Sequence, residues 1–146
     1  DLDTVLDMLR LILPKGTIVS TEDREGEAEE YICDGKQEFQ RPLAVLVNGY
    51  SASASEIFSG AVQDYKKGKI VGTTTYGKGV VQEVISLLDG SYIKLTTSEY
   101  FLPSGRSINE VGIVPDVEVE YERDEENEDA DNQLDKALEV VRKELE

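Results

Sequence analysis

The spacing of apolar residues changes along the chain, and each change predicts an element. Leu2, Val5, Leu6, Leu9, Ile12 and Leu13 recur every three or four residues, the spacing of one face of an amphipathic helix. Pro14 and the Lys15-Gly16 pair then close it. "GTIVSTE" reads as a strand, "DREGEAEE" as a polar turn and "EEYICDG" as a second short strand. "PLAVLVNG", from Pro42 to Gly49, is a continuous apolar run of the kind found in strands buried on both faces. Helical spacing returns in Ile57, Phe58, Ala61, Val62 and Tyr65, which predicts a helix from Ala54 to about Lys66, and "KIVGT" follows as another buried strand. "VVQEVISLL" and "SYIKLTTSEYFL" are β-rich and meet at Asp89-Gly90, a hairpin signal. "PSGRSINEVGIVPD" reads as a loop, and Leu134, Ala137, Leu138, Val141 and Leu145 form the stripe of a final amphipathic helix.

Strand, helix and strand between Pro42 and Thr73 make a βαβ unit, so the fold class is α/β with at least one parallel strand pair. A chain of 146 residues is long enough for one domain with a real core. The expected organisation is a core over residues 1–121, an acidic linker over 122–133 and a helix over 134–146. No run approaches the roughly 18 apolar residues needed to cross a bilayer. The first residues, "DLDTVLDMLRLIL", lack the basic start of a secretion signal, so the chain is expected to be an interior piece of a longer protein or a mature fragment.

Charge refines this picture only at one end. The net charge is -16, and Asp116 to Glu146 alone holds 14 acids against 4 bases. Such a balance argues against nucleic-acid or anionic-membrane binding, which use basic patches. The single cysteine, Cys33, excludes an internal disulfide and a cysteine zinc cluster, and its acidic neighbours suit a packed strand residue better than a thiol nucleophile. Nothing calls for a metal or a cofactor.

The chemistry concentrates in "NGYSASASEIF", Asn48 to Phe58. A strand, a tight turn and a helix in succession present a side chain at a helix N-terminus, where free N–H groups and the helix dipole favour a developing oxyanion. Serines at such a place also serve as helix caps. The chain contains no histidine, so a Ser-His-Asp triad is impossible. A lysine can replace the histidine where its surroundings favour the uncharged amine and no carboxylate holds its charge. Lys78 meets that condition: "IVGTTTYGKGVVQ", Ile70 to Gln82, has no acid, and glycines flank the lysine. Gln82, four residues on, could orient the amine if both lie on one face of a strand. On these grounds Ser51, Ser53 and Ser55 are equivalent candidates.

These segments, with "IKLTTSEYFLPSGRSINEVGIVPDVEVE", resemble the carboxyl-terminal processing peptidases, also called tail-specific proteases, from about Pro42 to Glu120; the first helix and "LPKGTIVST" fit too. The resemblance implies a ClpP/crotonase-like sandwich of sheet and helices, of which this chain is part of the catalytic domain. It implies that the middle serine of the SASAS run, Ser53, is the nucleophile of a Ser-Lys dyad. The lysine of GKG, Lys78, is then the base, Gln82 orients it, and the N–H of Ala54 is one oxyanion donor. It implies protein substrates cut near their C-termini, no cofactor, an upstream PDZ domain that captures substrate tails, and a second oxyanion donor from a Gly-Gly segment ahead of Asp1. It further implies an extracytoplasmic parent protein and a homodimer or larger homo-oligomer. Without the upstream donor the isolated chain is expected to be weak or inactive, since one donor is worth about 10²–10³ in rate.

Two other readings have distinct signatures. A silent fragment whose last helix only mediates assembly would never label with an acylating probe. A crotonase-like acyl-CoA enzyme would bind CoA thioesters, and the lack of a basic phosphate-binding cluster near the serines argues against it.

Overall fold

Helix α1 (Leu2–Arg10) leads into the hairpin of β1 (Gly16–Asp23) and β2 (Ala28–Cys33) in the computed structural model, which describes residues 1–146. Strand β3 (Ala44–Val47), helix α2 (Ala54–Asp64) and strand β4 (Lys69–Gly72) form the βαβ unit. Strands β5 (Val80–Ser86) and β6 (Tyr92–Phe101) form the second hairpin, and β7 (Val117–Glu118) and α3 (Asn132–Leu145) complete the chain.

The strands sort into two sheets. One is antiparallel, in the order β2-β1-β6-β5; the other is parallel, in the order β3-β4-β7. Together with the helices they give the α/β fold that the alternation of elements predicts. Helix α2 lies between the layers, packed on α1, β1 and β4. Its Ile57, Ala61 and Val62 join Leu6 and Leu9 of α1, Ile18 and Val19 of β1, Ile70 of β4, and Leu102, Ile108 and Ile113 in one core. At Gly60 a Cβ would come within 2.5 Å of the Leu102 side chain, so the absence of a side chain lets α2 settle against the 102–113 loop.

Local chemistry explains the element ends. Asp23 Oδ1 accepts the N–H of Glu25 (2.8 Å) and Glu27 (2.9 Å), closing the β1–β2 turn. A bulge between Thr17 and Val19 lets two consecutive residues, Ile18 and Val19, both enter the core. Gly90 has φ 84°, and the Asp89 carboxylate accepts the Ser91 N–H at 3.0 Å, as a tight hairpin turn requires. Cys33 is buried and its thiol donates to the carbonyl of Leu13 at 3.3 Å, a packing role.

Three expectations need correction. Strand β3 is not buried on both faces: it is the edge of its sheet, and Leu46 stays 43% exposed. Helix α3 begins at Asn132, two residues early, because Asp131 Oδ1 caps it by accepting the N–H of Gln133 (3.0 Å) and Leu134 (2.9 Å). Its stripe is also split. The helix rests on β3 and β4 through buried Ala137 and half-buried Val140 and Val141, while Leu134, Leu138 and Leu145 face outward. The segment before it folds back on the domain, with the Asn132 amide donating to the Glu120 carbonyl at 2.7 Å and Gln133 to the Val119 carbonyl at 2.7 Å.

Candidate active site

The turn between β3 and α2 separates the three candidate serines. Asn48 Oδ1 accepts the Tyr50 N–H at 2.9 Å and its carbonyl accepts the Ser51 N–H at 2.8 Å. The Ser51 hydroxyl accepts the Asn48 N–H at 3.1 Å, so this serine is part of the turn itself. Ser55 lies within the first turn of α2 and is exposed. Ser53 is the N-cap residue, with φ 55° and ψ -116°. These are the angles of the first central residue of a type II′ turn, a place that normally takes glycine. A non-glycine residue there stores about 1–3 kcal/mol of strain, and such strain persists only where the surroundings over-determine it. Ser53 and Glu56 form a capping box, the Ser53 side chain facing the Glu56 backbone N–H and the Glu56 carboxylate taking the Ser53 N–H.

What over-determines it is Glu56. This carboxylate is fully buried, an unusual place for a charged group unless every lone pair is used. All four are. Oε2 accepts the N–H of Ser53 (2.8 Å) and of Lys78 (2.9 Å). Oε1 accepts the Thr75 hydroxyl (2.5 Å) and the Gly77 N–H (2.7 Å). The backbone of Ser53 and the backbone of Lys78 are therefore held one oxygen atom apart.

The lysine-bearing turn is clamped from its other side as well. The Thr75 hydroxyl accepts the Ile113 N–H at 2.7 Å, the Gly77 carbonyl accepts the Glu110 N–H at 2.8 Å, and the Gly79 carbonyl accepts the Tyr100 N–H at 2.8 Å. The Tyr76 N–H reaches the Ser51 carbonyl at 2.9 Å, tying this turn directly to the serine turn. Gly79 is required by close approach: a Cβ there would stand 2.4 Å from the Asn109 nitrogen. Lys78 is half-buried and takes no part in any ion pair of the chain. The nearby acid, Glu56, spends its oxygens on backbone and hydroxyl donors, which leaves the amine without a fixed counter-charge.

Ala54 is the first residue of α2, so its N–H has no intrahelical acceptor and is available at the turn. Gln82 is placed differently from the rest. It lies on the exposed part of β5, and its amide donates to the Thr96 hydroxyl at 3.3 Å across the sheet. Strand β5 begins only at Val80, so Lys78 precedes it and the every-second-residue rule does not join Lys78 to Gln82. Glu56 and Thr75 were missed by sequence reasoning. Ser53-Ala-Ser-Glu56 is a capping-box pattern, and that signal could have pointed to the glutamate. A shallow cavity of about 480 Å³ opens beside the turn, with Gly49, Tyr50, Thr73 and Tyr121 among its walls. No three His, Cys, Asp or Glu side chains converge as metal ligands.

An α/β chain with a strained serine at a helix N-terminus and an unpaired lysine on an adjoining glycine turn has the parts of an acyl-transfer hydrolase. The profile of peptidase family S41 matches residues 1–119, and the chain belongs to that family. It is 44% identical over 115 residues to the carboxyl-terminal-processing protease of Synechocystis sp., covering 79% of this chain and 27% of that protein. It is 40% identical over 118 residues to the chloroplastic C-terminal processing peptidase of Tetradesmus obliquus, covering 80% of this chain and 25% of that one. Among solved structures, the photosystem II D1 C-terminal processing protease superposes with a TM-score of 0.77 at 38% identity, over 82% of this chain and 31% of that chain. The chain thus spans about a quarter of the length of the curated relatives it matches.

Proposed function

We propose that this chain is part of the catalytic domain of a serine-type peptidase that cuts protein substrates near their C-termini through Ser53 and Lys78. Family membership and the names of the relatives support peptide-bond hydrolysis. The observation that carries the assignment of residues is the Glu56 carboxylate, which holds the N–H of Ser53 and of Lys78 on one oxygen.

The reaction is acyl transfer. The uncharged amine of Lys78 takes the proton of the Ser53 hydroxyl as Oγ bonds to the substrate carbonyl carbon. The oxyanion so formed sits against the Ala54 N–H and the N-terminal end of α2. The C–N bond breaks as the Lys78 ammonium returns its proton to the leaving amine. Water then enters by the same route, giving its proton to Lys78 and releasing the acid from Ser53. Gln82 serves as an orienting residue in this scheme only if its amide leaves Thr96 for the Lys78 amine. The parent protein on this reading carries a PDZ domain upstream, works outside the cytoplasm and assembles as a homo-oligomer.

The test is cleavage of an unstructured fluorogenic peptide by the parent protein. Ser53→Ala and Lys78→Ala should each abolish turnover, while Ser51→Ala and Ser55→Ala should retain it. Undiminished cleavage by Ser53→Ala would refute the assignment.

A further inference from the structure

Three polar or charged side chains are buried: Glu56, Ser59 and Thr75. Ser59 is satisfied within α2, where its hydroxyl donates to the Ser55 carbonyl at 2.8 Å. The other two meet each other, at 2.5 Å. Of the three consecutive threonines after β4, Thr73 is half-buried, Thr74 is exposed and Thr75 is only 5% exposed.

The hydroxyl proton of Thr75 has one direction open to it. The Ile113 N–H, 2.7 Å away, can only donate, and a carboxylate oxygen such as Glu56 Oε1 can only accept. Thr75 therefore accepts from Ile113 and donates to Glu56. Ile113 is itself fixed. Its side chain is fully buried, its carbonyl accepts the Thr75 N–H at 3.1 Å, and the Gln63 amide holds the next carbonyl, that of Val114, at 2.9 Å. A Cβ on Gly112 would stand 3.0 Å from the Thr75 hydroxyl oxygen, so the loop closes directly over it.

The other three donors to Glu56 are backbone N–H groups of the serine and lysine turns, those of Ser53, Gly77 and Lys78. These are the groups whose spacing the carboxylate sets. Thr75 alone among the four is a side chain, and its oxygen is bonded as well to a third segment packed in the core. A carboxylate is planar and rigid, so fixing Oε1 also fixes where Oε2 points.

We propose that Thr75 is a positioning residue for the reaction: its hydroxyl turns the Glu56 carboxylate so that Oε2 holds the Ser53 and Lys78 backbones at their working separation. The inference rests on the peptidase reading and adds to it a buried residue that acts through another. Thr75→Val keeps the shape and removes the hydroxyl. The new methyl fills the place of the oxygen, so no water can replace it, and Oε1 keeps a single donor.

The test is cleavage of the fluorogenic peptide by the parent protein, paired with hydrogen exchange of this chain. Thr75→Val should lower kcat about tenfold or more with KM within about twofold, because displaced reacting groups cost rate and leave uniform binding alone. Thr75→Ser keeps the hydroxyl and should stay within about threefold of wild type in kcat. In Thr75→Val the Ser53 and Lys78 amides should exchange about tenfold faster or more, while those of Leu9 and Ala61 exchange as in wild type. Where Thr75→Val does not fold, Thr75→Cys, whose S–H is a weak donor, is measured in its place and should show the same pattern. A kcat unchanged by the loss of the hydroxyl overturns the proposal, as does a rise in KM in place of the fall in kcat. So does a loss shared equally by Thr75→Ser, or unchanged exchange at Ser53 and Lys78. Exchange that responds as described in a parent protein that cleaves nothing supports the tie through Thr75 and removes the peptidase reading instead.

Discussion

Glu56 and Lys78 meet through the backbone, not through their charges: the carboxylate accepts the Lys78 N–H at 2.9 Å, while the ammonium forms no ion pair with it. The arrangement separates two demands that conflict. On the proposed mechanism Lys78 must not be held by a carboxylate, yet its turn must be fixed against Ser53. Filling all four lone pairs of Glu56 with backbone and hydroxyl donors meets both.

Glu56→Gln keeps the shape of this side chain but turns amide hydrogens toward backbone donors. Each buried donor left unpaired costs about 1–3 kcal/mol. The variant should unfold at distinctly lower urea concentration, and cleavage by the parent protein should fall with it. Equal unfolding midpoints for Glu56→Gln and wild type would show that the tie contributes nothing.

The backbone of Ser53 should reveal itself in stability. With φ 55°, glycine relieves the strain that alanine keeps. Both substitutions remove the hydroxyl, so Ser53→Gly should be more stable than Ser53→Ala by about 1 kcal/mol. Thermal unfolding of the pair decides it; the reverse order would mean that the observed turn is not strained.

Gly79→Ala should act on the site through the backbone. Its Cβ would meet the Asn109 nitrogen at 2.4 Å, and forcing a methyl into a close-packed place costs about 1–3 kcal/mol. The Lys78 turn must move away from the 108–112 loop, so cleavage should drop more than tenfold in protein that remains folded at 25 °C. Retained cleavage would mean that the turn tolerates displacement.

Helix α3 offers a contrast between neighbours. Ala137 is buried against the sheet and Leu138 is 42% exposed. Ala137→Asp should detach the helix, exposing the linker to limited proteolysis, whereas Leu138→Asp should change stability by about 0.5 kcal/mol or less. If Leu138→Asp is the one that releases the helix, its outer stripe is the packed face.

Acid should loosen the same helix. The ammonium groups of Lys143 and Lys136, at 2.5 and 2.9 Å, hold the Glu139 carboxyl down to about 2, below the usual 4.5. A depressed folded value contributes stability above the unfolded value, and that contribution is lost as pH falls from 4.5 toward 2. Hydrogen exchange in α3 should therefore be slower in wild type than in Glu139→Gln at neutral pH, with the difference fading over that interval. A difference that does not change with pH would remove the ion-pair explanation.

The sequence by itself determined most of the elements, because local periodicity reports local structure. The βαβ unit, both hairpins and the three helices follow from apolar spacing and from turn residues such as Asp89-Gly90. It also narrowed the chemistry, since a chain without histidine and with one acid-free lysine turn has few ways to activate a serine. Strand β7 was not legible, for two residues carry no period and Val117 pairs with Val71 only after the 103–116 loop has returned to β4. The depth of β3 and the facing of α3 were likewise undetermined, because which side of an apolar run is covered depends on what arrives from elsewhere in the chain. Only the tertiary structure distinguishes the three serines on physical grounds. Three serines with equal local credentials differ once one hydroxyl is used by Asn48, one lies exposed along the helix, and one backbone is bent over the carboxylate of Glu56.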